Sequence, residues 1–221
     1  MRRAVLLSWF RRCRGTVTGP ALRDVGKVAQ HAAVTRVKDE LRHLGIRVPL
    51  RFIWSADGSG VEEDAPHIVH LHRSLVAAER APAAVVAAAE RLLAFDLAAV
   101  ARHEVGHALL FRRPRAAHAA EFRRLFGDVR LTYRVGTPLD EVERRLTRHG
   151  GLANSRYRRE ISLYSATHPH ERFAEAVRIA LAHAGSERAL RDWAGDRNLA
   201  PTVTLQLVFA GRWLREYANG S

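Results

Sequence analysis

Apolar residues fall at helical spacing along most of the chain and alternate with polar ones in only a few short stretches. Between Ala21 and Leu44, the positions Val25, Val28, Ala32, Val37, Leu41 and Leu44 recur close to a helical period among charges, and Gly45 supplies a stop, so a helix is expected there. Val48 to Trp54 reads as a strand, Asp57-Gly58-Ser59-Gly60 as a loop, and His67 to Leu75 as a second strand. Alternation in that second strand puts Ile68, His70 and His72 on one face and Val69, Leu71 and Arg73 on the other. From Pro82 to Phe111 the pattern is helical throughout, with one helix or two joined at Phe95-Asp96 both compatible with the spacing. Ala116 to Phe126 predicts a short helix closed by Gly127, Asp128 to Val135 a third strand, and Leu139 to His149 a helix ahead of Gly150-Gly151. Another helix opens at His168-Pro169, and Val203 to Tyr217 forms a last apolar one. The class expected is α+β, mainly helical, with a small mixed sheet of about three strands.

Inside the Pro82 to Phe111 run lies the stretch Ala98 to Phe111, which carries His103-Glu104-Val105-Gly106-His107. On a helix, residues four apart share a face, so both imidazoles reach one metal, with Glu104 beside them. Neutral imidazoles hold zinc well, and a carboxylate next to the first histidine is placed to move protons rather than to ligate, which makes Glu104 the candidate general base. The competing reading is a pair of core histidines. It requires a partner for each ring nitrogen on one apolar stripe.

Two histidines leave zinc short of a ligand. The extended pattern with Gly three and His six residues after the second histidine fails, because Leu110 and Arg113 stand there. Glu121 follows soon after His107, with Pro114 between them, which leaves little chain to fold a second helix back, and His168 and His170 are further alternatives. Glu171-Arg172-Phe173-Ala174-Glu175 is the better source: Glu171 and Glu175 share a helix face, opposite a stripe of Phe173, Val177, Ala180 and Leu181. Glu171 as third ligand and Glu175 as acceptor for a ligand imidazole N–H would build both the coordination and its support. The plainer reading is an acidic first turn that complements the helix dipole. His70 and His72 form an i, i+2 pair with no third ligand suggested.

The segment from Tyr164 through His168-Pro169-His170-Glu171 to Glu175 resembles the third-ligand segment of the anthrax lethal factor-like zinc peptidases, which are gluzincins. The resemblance covers His103 to about Ala184. It implies a zincin-like fold with an active-site helix carrying the His-Glu-x-x-His motif, zinc held by His103, His107 and Glu171, and Glu175 supporting a histidine. It further implies that Tyr164, seven residues before Glu171, stabilises the oxyanion. The interval between His107 and Glu171 is long for this family and reads as an insertion that shapes the cleft.

Composition adjusts this picture only at its edges. With 221 residues and 47% hydrophobic content, the chain is long enough for one moderate core, expected over residues 21–221 behind a basic, amphipathic or disordered arm at 1–20. Cys13 is the only cysteine, which excludes an intrachain disulfide and a cysteine-held zinc. The net charge of +13 is spread along the chain as arginine, with no nucleic-acid recognition motif, so nucleic acid is an unsupported partner. Arg11, Arg12 and Arg14 interrupt the apolar run that starts at Ala4, which favours a cytoplasmic protein over a secreted one and leaves unconventional secretion open. Charges within Ala77 to Ala101 argue against a membrane span. The function expected is zinc-dependent hydrolysis of peptide bonds in a peptide or protein substrate. The alternatives are a catalytically silent zincin-fold binding or regulatory protein and a basic helical module for an acidic partner.

Overall fold

The computed structural model describes residues 24–27, 31–55, 59–72, 97–130, 159–162, 164–166 and 168–220. In chain order the elements are β1 (Asp24–Lys27), α1 (Ala32–His43), β2 (Arg51–Ser55), β3 (Gly60–Val61), β4 (Ile68–His72), α2 (Leu97–Arg112), α3 (Pro114–Ala117) and α4 (Ala120–Phe126). A 3₁₀ turn at Tyr164–Ala166 precedes α5 (Pro169–Ala182), α6 (Glu187–Asp196) and α7 (Pro201–Asn219). The protein is thus mainly helical with a small mixed sheet in the order β1-β2-β4-β3, in which β2 and β4 run parallel and the outer pairs antiparallel. The parallel register aligns Phe52 with Val69 and Trp54 with Leu71. Phe52, Val69 and Leu71 belong to the main core.

Several expected elements change where pairing or capping overrides the hydrophobic period. The stretch from Ala21 to Leu44 is not one helix: Asp24–Lys27 pairs antiparallel with β2, and α1 begins only after His31. Gly26 is a poor helix residue, and its backbone finds a partner opposite Trp54, while His31 Nδ1 accepts the Ala33 N–H at 3.3 Å and fixes the helix start. At the other end, Gly45 (φ 76°) closes α1, with its N–H on Arg42 O at 2.9 Å and the Ile46 N–H on Leu41 O at 2.8 Å, the paired bonds that a left-handed glycine permits. Gly60, expected in a loop, joins Val61 in β3 because the β4 edge supplies their hydrogen-bond partners. The Ala116 to Phe126 run is divided between α3 and α4. In the expected third strand, the Asp128 Oδ1 accepts the Arg130 N–H at 3.0 Å and forms a turn; residues 131–135 lie outside the described residues. So do 1–20, 82–96 and 139–149. Helix α6 was not expected, although Ser186 caps it through the Ala189 N–H and Glu187 pairs with Arg191 one turn on.

Helix α2 is the centre of the packing. It lies against α5 along its length and against α1, β3 and β4 on its other sides. Arg102, half-buried on α2, makes two hydrogen bonds to Glu40 on α1, at 2.8 and 2.7 Å. Beyond α5 sits an aromatic layer in which Phe173 meets Phe122, Phe126 and Trp213 at ring separations of 5.3, 5.4 and 5.1 Å. No helix among the described residues is long and apolar enough to cross a membrane.

Candidate metal centre

From Leu97 to Leu110, every residue of α2 except Arg102 is buried, because neighbours cover the helix on all sides. His103, Glu104 and His107 are therefore not surface groups, at 4%, 6% and 3% exposure. Burial of three ionisable side chains on one helix is costly unless they pair with each other or with an ion. Helix α5 provides the rest. His168 caps it, with Nδ1 accepting the His170 N–H at 3.2 Å, and Pro169 occupies the first turn, which places Glu171 and Glu175 on the side facing α2. Both carboxylates are buried.

The two helices meet at Gly106. A Cβ added there would lie 2.8 Å from Ala174 Cα and 3.2 Å from Ala174 O, so only glycine lets the backbones come this close. Ala174 stands between Glu171 and Glu175, and Gly106 between Glu104 and His107. The close approach therefore brings the ligand-type side chains together. His103 Nε2 lies 2.9 Å from Glu171 Oε2 and 3.1 Å from His107 Nε2, and His107 Nε2 lies 3.3 Å from the same Glu171 oxygen. His103 Nδ1–H donates to Glu175 Oε1 at 2.9 Å. With that proton on Nδ1, a neutral His103 turns an Nε2 lone pair toward the carboxylate and the second imidazole.

Three acceptor atoms at such separations share a cation well. A tetrahedral zinc with bonds of about 2.0–2.1 Å separates its ligands by about 3.3–3.4 Å, close to the spacing here. His103, His107 and Glu171 form a group that could hold a metal ion, and among the described residues no other such group occurs. Charge points the same way. The crossing buries the carboxylates of Glu104, Glu171 and Glu175 against the guanidinium of Arg178, so a dication with two neutral imidazoles brings the formal sum to zero.

Without a cation, protons answer the same field. Burial opposes charge on His103, but its bonds to Glu171 and Glu175 and their negative charge prevail and raise its pKa to about 10. Glu171 is likewise penalised by burial, yet His107 and His103 hold its carboxyl well below the usual range. Glu175 is also held low, by Arg178 and His103 against its own burial. Glu104 differs: burial dominates and raises its pKa, and Glu104 Oε2 has no hydrogen-bond partner among the described residues.

The other sequence candidates separate. Glu121 is exposed on α4 and pairs with Arg212 at 2.6 Å. His168 is the cap of α5 rather than a member of the metal group. His170 packs edge-on against Phe111, 5.6 Å between centroids, and burial together with the positive field of nearby histidines lowers its pKa to about 4. His70 is buried in β4 and outside the metal group. Tyr164 opens the 3₁₀ turn packed on α5, and its side chain lies outside the described residues. Glu160 ties that turn to α5 by accepting from Arg172 Nη2 at 3.2 Å, while Arg172 Nη1 donates to Phe126 O at 2.9 Å.

Sequence reasoning did not single out Arg178 or Gly106. Arg178 Nε donates to Glu175 Oε1 and Nη2 to Glu175 Oε2, both at 3.0 Å. Its i, i+3 spacing from Glu175 was a readable signal. Gly106 carried none, because its partner Ala174 is distant in the chain. The expected division of α5 into an acidic face and an opposite apolar stripe is also too simple: Val177 comes within 3.2 Å of the Gly106 Cβ position, and α5 is buried around most of its circumference.

No curated protein and no solved structure matches the chain. Residues 96–187 match the model of a family described as "Putative zinc-binding metallo-peptidase". That span runs from just ahead of α2 to the start of α6 and contains both helices that bring His103, His107 and Glu171 together, so the metal of the matching family and the donor set of this site agree on zinc.

Proposed function

We propose that the protein is a zinc-dependent peptidase of the gluzincin type, with His103, His107 and Glu171 as the protein ligands. The observation that carries this reading is the convergence of two imidazole nitrogens and one carboxylate oxygen within 3.3 Å, beside a buried carboxylate that does not join them. Zinc, when bound, supplies a Lewis acid that lowers the pKa of a water to roughly 7 and polarises a carbonyl. Glu104 is the base. Its raised pKa brings the carboxylate closer to working pH, and its unpaired oxygen is available to take a proton from the attacking water and pass it to the leaving amine. Glu175 holds the Nδ1 proton of His103 and so directs Nε2 at the metal position.

The finer resemblance to lethal factor-like peptidases is supported by the order of parts. Tyr164 lies in a turn packed on α5 ahead of Glu171, and Glu175, one helical turn further, meets His103. In this reading Tyr164 donates to the oxyanion as the carbonyl is attacked. The substrate is a peptide or protein, as the matching family implies.

Elemental analysis of the purified chain combined with hydrolysis of a dye-labelled unfolded protein tests the proposal. About one zinc per chain and turnover that disappears in Glu104→Gln, with zinc retained, are expected. Protein that takes up no zinc, or turnover that survives in Glu104→Gln, would overturn it.

A further inference from the structure

We propose that Arg178 is a positioning residue for the metal: its guanidinium fork fixes the plane of the Glu175 carboxylate, which in turn fixes the ring of His103 and the direction of its Nε2 lone pair. The inference rests on the zinc site described above and adds to it a residue that touches neither metal nor substrate.

A glutamate carboxylate is not oriented by its own rotamer, because its last torsion is broad. At Glu175 the orientation comes from outside. Among the described residues, its two oxygens receive hydrogen bonds from Arg178 and His103: Nε and Nη2 of Arg178 reach one oxygen each at 3.0 Å, and His103 Nδ1 reaches Oε1 at 2.9 Å. A planar fork that contacts both oxygens sets the carboxylate plane in a way a single donor does not. Arginine is also only a donor, so the carboxylate remains an acceptor on both oxygens and the bond from His103 must come from an N–H. In the neutral ring that binds a metal, the lone pair then belongs to Nε2, on the side of Glu171 and His107.

The pair is an expensive way to fill this space. Arg178 and Glu175 are 8% and 1% exposed, and apolar residues of similar size would fold at least as well in a desolvated site. Electrostatics alone would even disfavour the arrangement, since a guanidinium near a cation site repels the cation. What remains is orientation, and this opposition of signs makes the two roles separable.

The experiment measures zinc affinity of the full chain by competition with a chromophoric chelator, and the visible absorption of the cobalt-substituted protein, for wild type, Arg178→Lys, Arg178→Met, Glu175→Gln and Arg178→Lys combined with Glu175→Gln. Lysine keeps the charge and loses the fork. Arg178→Lys is expected to bind zinc about 10- to 100-fold more weakly and to shift the cobalt bands, with Arg178→Met at least as weak. The lysine change should add little once Glu175 is glutamine, because it acts through that carboxylate. Wild-type affinity in Arg178→Lys, tighter binding in Arg178→Met, or a full additive loss in the double variant would each overturn the proposal while leaving the zinc site intact. If wild type itself binds no zinc, the site fails and the role of Arg178 with it. Arg178→Lys keeps the buried charge balance, so the test stands even if Arg178→Met does not fold.

Discussion

His103 and His107 project from one helix toward one point, but different forces hold them. His103 is tied by directional bonds, Nδ1 to Glu175 and Nε2 beside Glu171, with Arg178 behind Glu175. His107 shares the Glu171 oxygen, at 3.3 Å from Nε2, and its ring is otherwise held by packing. Its ring lies against Phe111 at 5.8 Å and an interplanar angle of 22°, and its Nδ1 has no hydrogen-bond partner among the described residues. A hydrogen-bonded ring is lost in one step when its partner changes, whereas a packed ring loosens gradually as its neighbours change shape.

The most drastic test removes the donor groups themselves. His103→Ala, His107→Ala and Glu171→Ala should each abolish stable zinc occupancy, read by elemental analysis after dialysis, because each takes one donor from a three-donor group. Equal zinc content in Glu171→Ala and wild type would remove Glu171 from the ligand set. Tyr164→Phe leaves both rings and their supports in place. It should lower kcat by about 10²- to 10³-fold with zinc content, melting temperature and KM little changed. A destabilised but fully active Tyr164→Phe would mean that the hydroxyl serves the fold instead.

Gly106→Ala acts on both histidines at once. The new methyl meets the Ala174 backbone at 2.8 Å, so α5 must move away from α2. Overpacking of this kind costs about 1–3 kcal/mol, and the displaced Glu171 and Glu175 should weaken zinc binding as well. Denaturant unfolding and zinc titration of the same preparation check both parts, and an unchanged unfolding transition would show that the crossing tolerates a side chain.

Proton linkage probes the ring of His103 next. In the metal-free protein His103 titrates at about 10, above the ordinary 6.5, so its contribution to stability is complete below pH 6.5 and is lost as pH rises toward 10. The melting temperature of the metal-free protein should therefore decline across that interval more steeply than in His103→Gln. Zinc uptake at pH 7 should release about one proton into weak buffer, since the cation replaces the proton on His103. No proton release would place the proton elsewhere. The smallest effect is expected for Phe111→Leu, which removes the stack on His107 and leaves every hydrogen bond of His103. Zinc affinity should fall by less than about tenfold, in keeping with the worth of about 0.5–1.5 kcal/mol for such ring pairs. A larger loss would mean that packing positions His107 as strictly as hydrogen bonds position His103.

Local pattern was enough to mark out α2, because the spacing of His103 and His107 and the apolar residues around them are properties of one helix. The start of α5 was equally legible, since His168-Pro169 and the acid at Glu171 act within one turn. What sequence periodicity misplaced were segments whose backbone found a better partner elsewhere: Asp24–Lys27 became a strand, and Gly60 joined one, because β2 and β4 offered edges. Chain order alone, by contrast, said nothing about how close α2 and α5 come. That separation depends on Gly106 against Ala174, two small residues far apart in the sequence, and the spacing of the three donor atoms follows from it. The i, i+3 pairing of Arg178 with Glu175 was open to local reading, but that of Glu175 with His103 rather than His107 was decided only in three dimensions. Helical spacing determines which side chains share a face, but the register and distance between two helices are set by the shapes that meet where they cross.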